Sequence, residues 1–288
     1  MPLRAEPITS ALAGAGYAAA LRQELRVRNL TYAEKHGLAH QLSYGEAPIV
    51  CYEPNGAAHG NFLRQSYRAI LANPDWARRL RKPHTSARSA LPRNDRGFWA
   101  ELDSSNSSDA LLMNVFCCPR VFADGRVCDL LGVERGATPE FGWRARVPLA
   151  NGRADATEVD MRLGNLLVEA KLTESDFQVS TRPEHVERYR DLAKVFDRRR
   201  LPRVGKQYVS YQLIRNVLAA QASVGSFCVL FDERRPDLRE QWFAIMSCVQ
   251  PVDLRLRCKA LTWQELAAVL PRRLQRFLEE KYGILGNL

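Results

Sequence analysis

Between residues 142 and 172 the sequence dictates a meander of three short strands. Gly142 to Leu149 alternates, with Trp143, Ala145, Val147 and Leu149 on one face, and Asn151-Gly152 follows as a hairpin turn. Residues 157–163 alternate again, Gly164-Asn165 turns, and Leu166 to Leu172 is a third, more continuously apolar run. Turns this tight leave consecutive strands little choice but to pair with each other, so the segment seeds a sheet. Its flanks are helical. A helical pattern covers 97–116 with a polar break at 104–108, and another fits 208–221, followed by a buried strand over 226–231. A helix near 237–249, a strand near 254–261 and a terminal helix opened by Thr262 with Glu265 three residues on complete the run. The order helix, three strands, helix, strand predicts an α/β domain whose mixed sheet is flanked by helices.

Upstream, helices are expected over 17–42 and over 60–82, the latter interrupted at Asn73-Pro74. A Pro-, Ser- and Arg-rich stretch over 82–94 then reads as a linker. The expected organisation is an N-terminal helical extension and basic linker over 1–95, and the main domain over 96–288.

Charge narrows the partners. The 288 residues carry 42 Lys plus Arg against 32 Asp plus Glu, a net +10, and only seven of the cations are Lys. Arg-rich surfaces suit phosphate, which the guanidinium fork grips through two oxygens. The excess is uneven. Residues 64–96 carry nine cations against two acids, and residues 182–206 nine against four, including Arg198-Arg199-Arg200. Arg188, Arg198, Arg199, Arg200 and Lys206 in the second segment are candidates for contact with a polyanionic backbone. No run approaches the roughly 20 apolar residues of a membrane helix, and no secretory leader is evident. Seven Cys without a Cys-x-x-Cys pair read as reduced buried thiols. A soluble cytoplasmic protein without membrane contact is expected.

The meander also carries the chemistry. Asp160 on the second strand and Glu169-Ala170-Lys171 on the third are separated by one turn, and residues two apart on a strand share a face. Composition predicts about 0.4 Glu-x-Lys pairs by chance. One of the two present, 279–281, lies in an amphipathic helical run. The other places one of seven lysines in an apolar strand, a conflict with burial that is expected at functional sites. Two carboxylates and a backbone carbonyl offer hard oxygen ligands to Mg²⁺, and a nearby Lys can offset charge building on a phosphate.

Asp160, eight intervening residues, then Glu169-Ala170-Lys171, within that order of elements, resembles the PD-(D/E)XK nuclease superfamily and its αβββαβ restriction-endonuclease-like core. Further phrases are similar to an uncharacterised restriction-endonuclease-like branch: 104–106 with 114–116, Glu169 to Glu174, Glu184 to Tyr189, and Tyr211 to Asn216. The resemblance implies a Mg²⁺-dependent deoxyribonuclease, with Mn²⁺ able to substitute. Asp160, Glu169 and the Ala170 carbonyl would hold the metal, and Lys171 would be the catalytic lysine. Glu101 would be the carboxylate from the first core helix, with Asp103 or Asp109 as alternatives. Gln212 sits where some members carry Gln-x-x-x-Tyr, although here Asn216 takes the Tyr position. Pro-Asp is also replaced, by Val159-Asp160. The expected substrate is DNA, with RNA as an alternative, and the reading allows a homodimer. Its rival is a nucleic-acid-binding protein that keeps the nuclease fold without catalysis.

Overall fold

The computed structural model describes residues 7–84, 91–123 and 125–286. The chain forms two compact units. One contains 142–261 together with the described residues up to 18, and the other contains 19–141 and 262–286.

A five-stranded mixed sheet organises the first unit, built from β1 (Pro139–Arg144), β2 (Glu158–Leu163), β3 (Leu166–Ala170), β4 (Ser226–Phe231) and β5 (Cys258–Thr262), in the spatial order β5-β4-β3-β2-β1. The expected α/β class with a mixed sheet and flanking helices is what the chain adopts. β2 and β3 are antiparallel, with Met161 opposite Val168, Arg162 opposite Leu167 and Leu163 opposite Leu166. Gly164 makes the tight turn between them at φ +60°, a left-handed conformation that glycine adopts without steric cost. β3 and β4 run parallel, with Val229 beside Glu169 and Leu230 beside Ala170. Every residue of β3 is buried, as a central strand between a parallel and an antiparallel neighbour requires.

Entry into β4 depends on Gly225. A Cβ there would meet the Asn165 carbonyl oxygen at 2.5 Å, and without one the Ser226 N–H reaches that oxygen at 2.9 Å. The helix Tyr211–Ala222 precedes β4 and buries Leu213, Ile214, Val217 and Leu218 in the same core as Val159, Leu167, Phe227 and Val229. At roughly 1.5–3 kcal/mol for each large apolar side chain buried, this layer is the main stabilising term of the unit.

Four local expectations need correction. The first meander strand stops at Arg144. Arg146 turns the chain at φ +48°, and Val147–Pro148 instead pairs with Ala154–Asp155 in a separate ribbon. Residues 252–256 are helical, entered through Pro251, so the final strand starts only at Cys258. In the second unit the helical pattern over 97–116 resolves into a 3₁₀ turn, Glu101–Asp103, and a helix, Ser108–Phe116, capped by the Ser107 hydroxyl on the Ala110 N–H. The Ser-rich break is therefore a real interruption, because its side chains compete for backbone hydrogen bonds. The upstream helix ends at His36, before a strand at His40–Leu42.

Candidate active site

β2 and β3 position the site within the first unit. Val159, Met161 and Leu163 point into the core, which puts Asp160 on the opposite, half-buried face. Continuing the register by one residue sets Asp160 opposite Glu169. There the ladder yields to a side chain, as the Ala170 N–H donates to Asp160 Oδ2 at 2.8 Å. This bond fixes the Asp160 carboxylate beside the residue that follows Glu169.

Glu169 is only 1% exposed and Lys171 5%. Lys171 Nζ donates to Glu169 Oε1 at 2.8 Å, and its backbone N–H donates to the Leu230 carbonyl on β4 at 2.7 Å. Burial by itself would lower the lysine pKa. The surrounding negative charge of Glu169, Glu174 and Asp160, with the Glu169 hydrogen bond, outweighs it and raises Lys171 above its ordinary value. The lysine is therefore a held cation. Phe177 lies beneath it, its ring centroid 5.8 Å from Nζ.

Two supports escaped the sequence reading. Asn216 Nδ2, on the helix Tyr211–Ala222, donates to Glu169 Oε2 at 2.8 Å. Arg215 orients that amide by donating to Asn216 Oδ1, and it ties the helix to β2 through the Glu158 carbonyl at 3.1 Å. The second support is Arg235, fully buried, which grips Asp237 through two nitrogens at 2.9 and 2.8 Å. Its remaining donors hold the carbonyls of Leu172, Glu174 and Ser175. It thereby clamps the turn that follows Lys171, in which Glu174 Oε2 accepts from the Leu172 N–H at 2.7 Å. Nothing in the local sequence couples residue 235 to 172–175, although Arg-Pro-Asp at 235–237 is a pattern suited to a local ion pair.

The other candidates are placed as follows. Gln212 lies in the first turn of the same helix as Asn216, four residues earlier, with Oε1 buried and lacking a hydrogen-bond partner. Arg188 pairs with Asp155 at 2.9 Å, and Asp155 also accepts from the Tyr189 hydroxyl at 2.6 Å. Those partners and the Thr157 bonds outweigh burial and lower the Asp155 pKa. Arg198 lies 3.8 Å from Glu187. Arg199 and Arg200 are exposed in a turn, and Lys206 is exposed in the turn of the ribbon Arg203–Val204 with Gln207–Tyr208.

Glu101, Asp103 and Asp109 belong to the second unit. Glu101 Oε2 is 2.9 Å from Lys82 Nζ, and burial with the neighbouring Asp109 charge raises the Glu101 pKa. Asp109 accepts from Arg79 and Lys82, and Asp103 accepts from Arg96, His59 and the Ala100 N–H.

Among the described residues no group of three or more His, Cys, Asp or Glu side chains is gathered closely enough to ligate a metal by itself. All seven cysteines are free thiols and six are buried. No helix of the described residues is long and apolar enough to cross a membrane.

Neither the curated proteins nor the solved structures contain a match to this chain. A protein family does match, over residues 19–283, a span that takes in every candidate site residue named above. The chain belongs to the family described as restriction endonuclease associating with ARP, an assignment that supports a nuclease in general and nucleic acid as its substrate.

Proposed function

We propose that the chain is a Mg²⁺-dependent nuclease of the PD-(D/E)XK type, hydrolysing phosphodiester bonds in DNA. The observation that carries this reading is the buried Glu169–Lys171 pair beside Asp160. Taking two charges out of water costs several kcal/mol per ion, a cost that stability alone does not explain. Family membership agrees with it.

The donor set fits Mg²⁺. This ion is commonly held by one or two carboxylates and otherwise by waters and substrate phosphates, so a cluster of three acids is not required. Glu169 accepts one hydrogen bond on each oxygen, and a carboxylate oxygen has two lone pairs. Asp160 and Glu169 would hold the ion, with the Ala170 carbonyl as a third oxygen. When bound, it supplies Lewis-acid polarisation of the phosphate and a more acidic water.

The chain's own groups do the rest. Lys171, held cationic, opposes the negative charge that builds on the attacked phosphate. Asn216 and Lys171 keep both Glu169 oxygens oriented, and Arg235 keeps the turn after Lys171 in place. Arg199, Arg200 and Lys206 provide exposed cations for the backbone of the substrate, Arg188 and Arg198 could reach it only by sharing with Asp155 and Glu187, and Gln212 provides an amide at the start of the Asn216 helix.

Purified protein incubated with plasmid, linear duplex and RNA, in Mg²⁺, Mn²⁺ or chelator, tests the reading. Metal-dependent cleavage of DNA is expected, abolished in Asp160→Asn and Lys171→Met, with folding of each variant checked by circular dichroism. Equal cleavage by the wild type and folded variants would overturn it. Nucleic-acid binding with no cleavage under any metal would favour a non-catalytic member of the fold.

A further inference from the structure

The second unit carries a different concentration of positive charge. Arg64 and Arg68 stand one turn apart on the helix Arg64–Ala72, and Arg273 lies in the first turn of the helix Arg272–Tyr282. All three are exposed and line one cavity of about 340 Å³, completed by Gln65, Ala69 and Pro119. No carboxylate lines it. Among the described residues none of the three guanidinium groups has an ion pair or a hydrogen bond. Other arginines of the same unit are neutralised, Arg79 by Asp109 at 2.7 Å and Arg96 by Asp103 at 2.6 Å.

We propose that this cavity is a phosphate-binding site. Three cations converging on a concavity without an acid repel one another, and an anion relieves that repulsion. Guanidinium groups match phosphate oxygens through paired hydrogen bonds. The helix Arg64–Ala72 has no side-chain cap at Leu63 and no acid in its first turn, so its N-terminal partial charge adds to theirs. Gln65 directs its amide to the Cys118 sulfur at 2.9 Å, which leaves the arginines as the recognising groups. The space, about 340 Å³, admits a phosphate with its ester substituents. No aromatic ring lines the cavity to stack on a base, so recognition is of phosphate and insensitive to sequence. The phosphate comes either from a nucleic-acid backbone or from a small phosphorylated molecule. The inference rests on this unit alone and does not require Asp160, Glu169 or Lys171 to hydrolyse anything.

The test uses the full chain with chelator present, so that binding is read without cleavage. Calorimetry measures inorganic pyrophosphate binding, and anisotropy measures a fluorescent duplex over a salt series. The Arg64→Ala/Arg68→Ala/Arg273→Ala variant is compared with Arg153→Ala/Arg239→Ala/Arg255→Ala, three exposed arginines of the other unit. The cavity variant is expected to lose pyrophosphate affinity by about tenfold or more, while the control keeps it. If the backbone is the source, the slope of log affinity against log salt shrinks by about 0.9 per lost contact, or about 2.7 in all. Loss of pyrophosphate binding with an unchanged duplex slope assigns the site to small phosphates. Replacing the three arginines by lysine restores most of the slope if charge is what acts. No pyrophosphate binding by the wild type, or equal losses in both variants, would overturn the proposal.

Discussion

Asn216 holds Glu169: an amide from the helix before β4 donates at 2.8 Å to a carboxylate oxygen on β3 that is almost wholly buried. Arg215 fixes which end of that amide faces the acid, since it donates to Asn216 Oδ1. Asn216→Ala leaves a buried acceptor without its donor, which costs about 1–3 kcal/mol. Cleavage should fall by about 10–100-fold, as when groups orienting a ligand are removed. Asn216→Asp should be worse, because a like charge disfavours the ionised form of Glu169. Initial rates and urea unfolding of the two variants check this, and unchanged rates in a folded Asn216→Ala would remove Asn216 from the site.

The Glu169–Lys171 pair should behave as a coupled unit in stability. Lys171→Met strands a buried carboxylate and is expected to cost about 3–5 kcal/mol. Adding Glu169→Gln should recover much of that loss, because a neutral amide needs no counterion. A double-mutant cycle in urea measures the coupling, and strictly additive losses would contradict it.

Arg235 should not be replaceable by lysine. It meets Asp237 and three carbonyls at once, a spread of donors that an ammonium group cannot reproduce. Arg235→Lys is expected to cost about 1.5–3 kcal/mol per charged hydrogen bond left unmade. It should also lower cleavage more than binding, since the turn after Lys171 loosens. Equal effects on duplex affinity and turnover would argue against that role.

Lys281, in the second unit, makes stability depend on pH. It is completely buried, with Nζ 3.8 Å from the Tyr52 ring centroid and 2.5 Å from Asn29 Oδ1. Burial pushes its pKa well below 10.5. Between that lowered value and 10.5 the unfolded chain binds a proton that the folded chain does not, so stability rises with pH. The slope is up to about 1.4 kcal/mol per unit, and stability falls as the pH drops through this window. Lys281→Met should flatten the slope while Tyr52 still donates to Asn29 Oδ1. Urea midpoints across neutral to alkaline pH give the answer, and an unchanged slope would place the pH dependence elsewhere.

Much of the fold was legible because the meander is local. Period-two alternation and the turn at Gly164 specify β2, β3 and their register from a few neighbouring residues, so the opposition of Asp160 and Glu169 follows from spacing. β4 was also readable as a short apolar run. The broken first strand was not, since the left-handed turn at Arg146 and the ribbon Val147–Pro148 with Ala154–Asp155 leave the alternation of side chains intact. Nor was the short helix Val252–Leu256, whose apolar residues fit either period over so few positions.

By itself the sequence determined that an acid and a Glu-x-Lys pair would stand on adjacent strands, because strand geometry depends only on nearest neighbours. It also set the abundance of arginine. What Lys171 would be was decided by tertiary structure. Burial alone would lower its pKa, and the carboxylates of Glu169, Glu174 and Asp160 raise it above the ordinary value, a balance that depends on distances through space. The same is true of Asn216 and Arg235, which reach the site from 47 and 60 or more residues away along the chain. It is true of the arginines as well. Asp155 occupies Arg188, while Arg64, Arg68 and Arg273 converge with no acid between them. Composition counts charges, but only the folded chain places each one with or without a counterion.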